Sequence, residues 1–464
     1  MPHNIILLVT DTFRFDNLYQ RAKRPVRTPY LDTFADTRAA EITGFYAGSF
    51  PTIPHRTDLA QGRLGWPHYP WQPIDRSGPN HIAAMLGDCG YATQLLCDCP
   101  HLFKARFQFG FDAAYQTRGQ EGDLAFLHLN DEIRETVPLE KTRHRPVFRG
   151  HPLVDTHQWH KHYEHHEGDT FCSKTSDLAV RWLEDNYRAD PFFLWVDFFD
   201  PHEPWDAPEY LVATYDGSYD GVPMLHPNYG PASDYTPEEL HNLWAHYAAE
   251  AQLVDRMIGR ILEKIEDIGL LENSIVVITS DHGSSIGDHD RGGKTNIHPT
   301  SRANWPIYPE VGHVPFLIAG PGVASGVKLD VLAQPTDILP TLAELAGARI
   351  SPTEELDGTS FAGVLDGESE ERHRDVAVSG SFSRGGPDAL SANATTPFVV
   401  SGRWGYTPVG PTGDAELYDL QADPFAETNV IAGNGNQAKE MREALLSHLQ
   451  EHRASDTILK LWDR

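Results

Sequence analysis

The chain has 464 residues, a formal net charge of −28 and a pI near 5.2. That charge repels polyanions, so neither nucleic acid nor an anionic membrane surface is expected as a partner. An anionic ligand would have to be met by local cations or by a metal.

In chain order, residues 4–10 (NIILLVT) form a continuous apolar run that stops at Asp11. Such a run marks a strand covered on both faces. It begins almost at Met1 with no basic segment before it, so it is read as a strand and not a leader. No segment approaches the ~20 apolar residues of a membrane span, and a cytoplasmic protein without a membrane partner is expected. Residues 84–96 read as a helix end, a Gly90-Tyr91 turn and a strand. Residues 176–186 have helical spacing, and 191–199 (PFFLWVDFF) is a second buried strand. A long amphipathic helix follows over 247–270. Residues 274–280 (SIVVITS) form a third buried strand, ending at Asp281, and 314–319 a fourth. A helix over 335–346 is opened by Pro335 and closed by Gly347.

Strands alternating with helices predict an α/β fold: a large mixed, mostly parallel sheet sandwiched by helices, over residues 1–375. The texture changes after about residue 372. Residues 379–397 are rich in Gly, Ser, Ala and Pro, and short β-like pieces at 398–406 and 416–420 precede a helix at 438–450. Residues 376–464 are therefore read as a smaller α+β subdomain with a small antiparallel sheet and a terminal helix. Of the four cysteines, Cys97 and Cys99 are too closely spaced for a simple zinc pair, and all four are read as reduced thiols.

Chemistry-bearing residues gather at strand ends. Asp11 closes the first strand, and Asp281-His282-Gly283 closes the third. Ligands of open α/β sheets bind beyond the carboxyl ends of strands. Two carboxylates and an imidazole delivered there suit a divalent cation. Each Asp alone would more often be a helix cap. A third element is Thr52-Ile53-Pro54-His55-Arg56, running on to Leu59 and Gly62-Arg63.

Residues 52–63 resemble the signature of the sulfatase family, in the alkaline-phosphatase superfamily. Pro54, Arg56, Leu59, Gly62 and Arg63 fall in register, whereas the nucleophile position holds Thr52 where sulfatases have Cys or Ser. The likeness extends along the chain through Asp11, Gly90-Tyr91-Ala92-Thr93, Pro201-His202-Glu203-Pro204, Ser280-Asp281-His282-Gly283, Gly287-Asp288-His289, Gly293-Lys294 and Val314-Pro315. Glu416-Leu417-Tyr418-Asp419-Leu420, Asp423-Pro424 and Glu427-Thr428-Asn429 resemble the family's closing motif. The resemblance implies a metal held by Asp11, Asp281, His282 and the Thr52 oxygen, with Thr12 in place of a second ligand Asp. It implies that Lys294 and His202 contact the ester and that Arg56 braces the Thr52 turn. His101, one place out of register, is a weaker candidate for the family's active-site histidine. For Arg56, Lys294 and His202 the plain readings are an ion pair, a solvated loop residue and a core histidine. One divalent metal is expected: His282, where many calcium sulfatases have Asn, favours Mn or Zn, with Ca possible.

Sulfatases oxidise the Cys or Ser to formylglycine, a conversion for which Thr is not a substrate. Formylglycine has two hydroxyls, one to attack and one to expel sulfate; Thr52 has one. A Thr52 ester would have to be released by water, a route used by phosphoryl enzymes with Thr nucleophiles. The leading expectation is therefore hydrolysis of a phosphodiester or phosphonate monoester, a small anionic ester. The alternatives are a sulfuric ester hydrolase without formylglycine and a catalytically silent anion-binding member. The dense run His157, His160, His162, His165, His166 offers His162 and His166 as an i, i+4 zinc pair, but a solvated, partly charged helix is preferred. His313 is open between pocket and structure. Trp66, Trp71, Trp159 and Trp205 are either rim or core, and a homo-oligomer is allowed.

Overall fold

A computed structural model of the chain describes residues 2–68, 70–74, 80–123, 125, 137–142, 146–162, 164–296, 303–369, 373–381 and 395–463. Most of the Gly/Ser/Ala/Pro-rich stretch at 379–397 lies outside the described residues.

The central sheet has eight strands: β1 Asn4–Thr10, β2 Ala40–Phe45, β3 Ala92–Cys97, β4 Ala113–Gln116, β5 Phe192–Asp197, β6 Ser274–Ser280, β7 Phe316–Ala319 and β8 Val327–Ala333. Their order is β8-β2-β7-β6-β1-β5-β3-β4. All pairings are parallel except those of β7, which runs against both β6 and β2. The sheet is thus mixed and mostly parallel.

Alternate residues of the central strands feed two cores, which is why these strands read as unbroken apolar runs. Ile6, Leu8, Leu194, Val196, Val276 and Ile278 face one side and Ile5, Leu7, Val9, Phe193, Trp195, Ile275 and Val277 the other. The helices that bear on the site are α1 Thr52–Gln61, α2 Leu153–Lys161, α3 Phe171–Asn186, α4 Pro237–Asp267 and α5 Ile338–Leu345. Helix α4 packs its Leu253, Val254, Ile258 and Ile261 on the first core, and Ile53 and Leu59 of α1 join Leu339 and Leu342 of α5 on the second. Helix α4 begins ten residues before the expected 247. Its true start is a capping box in which the Thr236 hydroxyl accepts from Glu239 N and the Glu239 carboxylate accepts from Thr236 N.

A four-stranded antiparallel sheet follows, β9 Ala377–Ser379, β10 Phe398–Ser401, β11 Trp404–Thr407 and β12 Glu416–Asp419, packed with helix α6 Gly435–Glu451. Phe398, Val400 and Tyr418 meet Tyr46, Phe50 and Tyr308 in a shared cluster that holds this sheet against the main body. No helix among the described residues is long and apolar enough to cross a membrane.

Candidate active site

Strand register brings three acids together. Strand β1 lies between β5 and β6; Val9 pairs with Asp197 on one side, and Thr10 with Ser280 on the other. Asp11, Asp197 and Asp281 therefore emerge side by side at the carboxyl edge, all fully buried. One oxygen each of Asp11 and Asp281 and one nitrogen of His282 lie within 4.8 Å of one another.

The His282 imidazole is oriented for a cation. Its Nδ1–H donates to Gly283 O at 3.0 Å, leaving Nε2 as a lone pair. That nitrogen is buried without a hydrogen-bond partner. It points at Asp11 Oδ1 and Asp281 Oδ2, 3.7 and 3.5 Å away. Burial, reinforced by nearby Lys294, keeps the ring neutral. An unprotonated, unpartnered imidazole nitrogen facing two carboxylates fits a divalent metal. Gly283 permits the turn because a Cβ there would stand 2.2 Å from Glu310 O.

Thr52 is the first residue of α1 and is buried. Arg56, one turn on, accepts no solvent at all. Its Nη1 donates to Asp281 Oδ2 at 2.6 Å, to Asp11 Oδ2 at 3.2 Å and to Thr52 O at 3.4 Å. Its Nε and Nη2 each donate to Asp197 at 2.9 Å. The residue thus does more than brace the Thr52 turn, because its guanidinium fills the space between three carboxylates. Asp197 also accepts from Trp195 Nε1 at 3.0 Å. Burial pushes Asp197 up to about 6 against the pull of Arg56, so it is ionised at neutral pH.

Thr12 braces the two carboxylates of this site. It stands at φ 64, a strained conformation for a β-branched residue. There its N–H donates to Asp281 Oδ1 at 3.1 Å and its hydroxyl to Asp11 Oδ1 at 2.9 Å. The same hydroxyl accepts from Lys294 Nζ at 3.3 Å. Lys294 is buried, not solvated, with Nζ 3.8 Å from Asp11 and 3.7 Å from Glu203. It is placed by Gly293, at φ 101, where a Cβ would press on the Tyr229 ring at 3.0 Å.

His202 stacks on Phe199 at 4.0 Å. Its Nδ1 donates to Glu203 O at 2.6 Å. Glu203, hidden in the sequence as the x of a motif, is an unanticipated member of the site. Burial would raise its carboxyl, but His202, Lys294 and His226, with the Tyr229 hydroxyl, outweigh that and hold it ionised well below the usual range. His101 Nε2 meets Glu121 at 2.6 Å. The His101 ring packs on Phe199 at 5.6 Å, so one phenyl ring separates it from His202. Trp71, 44% exposed, sets its edge against His101 at 5.1 Å.

Other candidates fall elsewhere. His313 is structural, stacked between Phe15 and Tyr46 with Nε2 2.8 Å from Thr43 O. Trp66, Trp159 and Trp205 are buried. The histidine run is only partly solvated: His157 is buried and lies 3.1 Å from Asp206, whereas His162, His165 and His166 are exposed. Helix α2 ends at Lys161, so His162 and His166 share no helical face, and His166 caps the next turn. The 287–289 motif braces the loop, with Asp288 on Arg14 at 2.7 Å and His289 joining Glu310 to Ala426 O. The cysteines are free thiols.

A profile of the sulfatase family matches residues 3–348, and the chain belongs to that family of ester hydrolases, whose members bind a divalent metal. It is 24% identical over 466 residues to arylsulfatase K of Mus musculus, covering 92% of this chain and 76% of that protein. It is 27% identical over 444 residues to the ulvan-active sulfatase of Formosa agariphila, covering 92% and 77%. Among solved structures, the phosphonate monoester hydrolase of Agrobacterium radiobacter superposes with a TM-score of 0.70 at 24% identity, over 97% of this chain and 96% of that one. A 2-O GAG sulfatase superposes at 0.68 and 20% identity, over 98% and 93%.

Proposed function

We propose that the protein hydrolyses a monoanionic phosphorus ester, a phosphodiester or phosphonate monoester, with Thr52 as nucleophile. The observation that carries this reading is Thr52 at the nucleophile position of a site whose other parts are present. Asp11, Asp281, His282 and the Thr52 hydroxyl would hold one divalent metal, with Mn or Zn favoured by the imidazole. When bound, the cation supplies positive charge that lowers the pKa of the Thr52 hydroxyl and draws in the ester anion.

The chain's own groups do the rest. Arg56 fixes the carboxylates and the first turn of α1. Thr52 Oγ1 loses its proton to solvent and attacks phosphorus, and the leaving-group oxygen departs with a proton, for which Lys294 and His202 would be the donors. Water then attacks phosphorus, and Thr52 Oγ1 leaves as the hydroxyl. Four carboxylates, Asp11, Asp197, Asp281 and Glu203, face two basic side chains, Arg56 and Lys294. A divalent cation would balance that excess of two negative charges. With the balance struck, a monoanionic ester is easier to accommodate than a dianionic one.

A second reading is favoured by the arylsulfatase relatives: sulfuric ester hydrolysis by Thr52 without formylglycine. Initial rates on matched aryl phosphodiester, phosphonate monoester and sulfate separate the two. Faster turnover of the phosphorus esters supports the first reading; faster turnover of the sulfate replaces it with the second. A cytoplasmic location and a small-molecule partner remain part of the proposal.

A further inference from the structure

A second cluster lies beneath the loop that carries His202. Cys172 opens the first turn of α3, Glu250 sits on α4, and Asp200 begins the 200–204 loop after β5. One ligand atom from each lies within 4.8 Å of the others. Their exposures are 0, 3 and 4% respectively, so none is solvated. We propose that Cys172 Sγ and the carboxylates of Glu250 and Asp200 form a second divalent-cation site, of the zinc class, that pins α3 and α4 to the catalytic loop.

The Glu250 carboxylate is the group that points to a ligand. Its Oε2 is sealed from solvent and makes no hydrogen bond. A buried carboxylate without a donor is costly unless a cation or a proton meets it. One buried cation, Lys161, feels the charge of Glu250 and Asp200, but its direct contacts are with other acids. Lys161 contacts Glu164 at 2.7 Å and Asp206 at 3.2 Å, and His157 contacts Asp206 at 3.1 Å. Asp200 accepts from Gln120 Nε2, and the Thr170 hydroxyl lies 3.6 Å from Cys172 Sγ. Asp98 adds another buried acid, held by the Phe199 N–H and by the Thr175 hydroxyl at 2.9 Å.

The donor set selects the metal. A thiolate beside two carboxylates suits zinc and disfavours calcium or magnesium, which take oxygen ligands. A tetrahedral zinc with bonds of about 2.0–2.3 Å holds its ligand atoms roughly 3.5 Å apart, within reach of small side-chain rotations. Binding forms one Zn–S and two Zn–O bonds, leaves the fourth tetrahedral position to water, and releases the Cys172 thiol proton, with any carboxyl protons, to solvent. The site lies apart from Asp11, Asp281 and His282 and does not depend on which ester is cleaved.

Cobalt(II) tests it, because sulfur ligation gives a charge-transfer band in the near ultraviolet that oxygen and nitrogen ligands do not. Full-length protein is stripped by chelator and titrated with cobalt chloride, in wild type and in Asp281→Asn, which weakens the other site. The band should appear in both and vanish in Cys172→Ser. Glu250→Gln, which keeps the thiol, should weaken cobalt affinity by roughly tenfold or more and, combined with Asp281→Asn, abolish the zinc-induced rise in melting temperature expected of Asp281→Asn alone. If Cys172→Ser does not fold, Glu250→Gln decides the matter. Folded wild type without a band at saturating cobalt, a band that survives Cys172→Ser, or Glu250→Gln with unchanged affinity would overturn the proposal.

Discussion

Arg56→Met removes a guanidinium that touches Asp11, Asp197 and Asp281 together. The methionine fills similar space but leaves Asp197 buried, with only the Trp195 N–H as a side-chain donor among the described residues. Asp11 and Asp281 retain Thr12, and a bound metal can replace their lost cation, so the main cost falls on Asp197. Breaking a buried pair from one side costs about 3–5 kcal/mol. At ~2.1 cal/mol/K per residue the unfolding entropy of a chain this long is near 1 kcal/mol/K, so the melting temperature should fall by about 3–5 °C. Two further measurements isolate the cause. Arg56→Met/Asp197→Asn should regain much of the loss, because the orphaned charge is gone. Saturating Mn(II) should raise the midpoint of Arg56→Met more than that of wild type, since the carboxylates it binds are then uncompensated. Differential scanning fluorimetry with and without metal reads all of these. A single variant as stable as wild type, or a double variant no better than the single, would refute the assignment of Arg56 as the charge that holds this cluster.

Other outcomes follow from the same geometry. Lys294→Met should lower kcat/KM on monoanionic esters by about two to three orders of magnitude, measured by steady-state kinetics at saturating metal. Chelation should abolish turnover, and Mn or Zn should restore it in wild type but not in Asp281→Asn at the same metal concentration. His289 is pushed up to about 9: burial lowers it, but Glu310, by charge and hydrogen bond, outweighs that, with help from Ala426 O. A folded value above the unfolded 6.5 stabilises fully below about pH 6.5, and the gain fades as pH rises through 9. The gain is on the order of 3 kcal/mol. His289→Gln should therefore lower the melting temperature at pH 6 and make much less difference at pH 10.

Much of the fold was legible because a strand covered on both faces leaves an unbroken apolar run, and here β1 and β6 are each followed by an Asp. The direction of β7 was not legible, since an antiparallel strand between covered faces has the same composition as a parallel one. The start of α4 was written in Thr236 and Glu239, a cap signature that outweighs the polar face of the first turns. Within the site, Asp11, Asp281 and His282 could be placed from strand ends. Asp197 carries the same mark, an acid closing β5, but only the pairing of Val9 with Asp197 shows that it meets Arg56. Glu203 and Thr12 depend on how loops fold back, and no spacing encodes that. His157 was misread because its partner, Asp206, is 49 residues away.

The most direct test of the central claim is the chemistry of Thr52 itself. Purified protein and Thr52→Ala would be assayed with Mn, Zn and Ca on bis-(4-nitrophenyl) phosphate, 4-nitrophenyl phenylphosphonate and 4-nitrophenyl sulfate. Cleavage of the phosphorus esters ahead of the sulfate, lost in a folded and metal-binding Thr52→Ala, is the predicted result. Undiminished turnover in Thr52→Ala would contradict the account, because the nucleophile would then lie elsewhere.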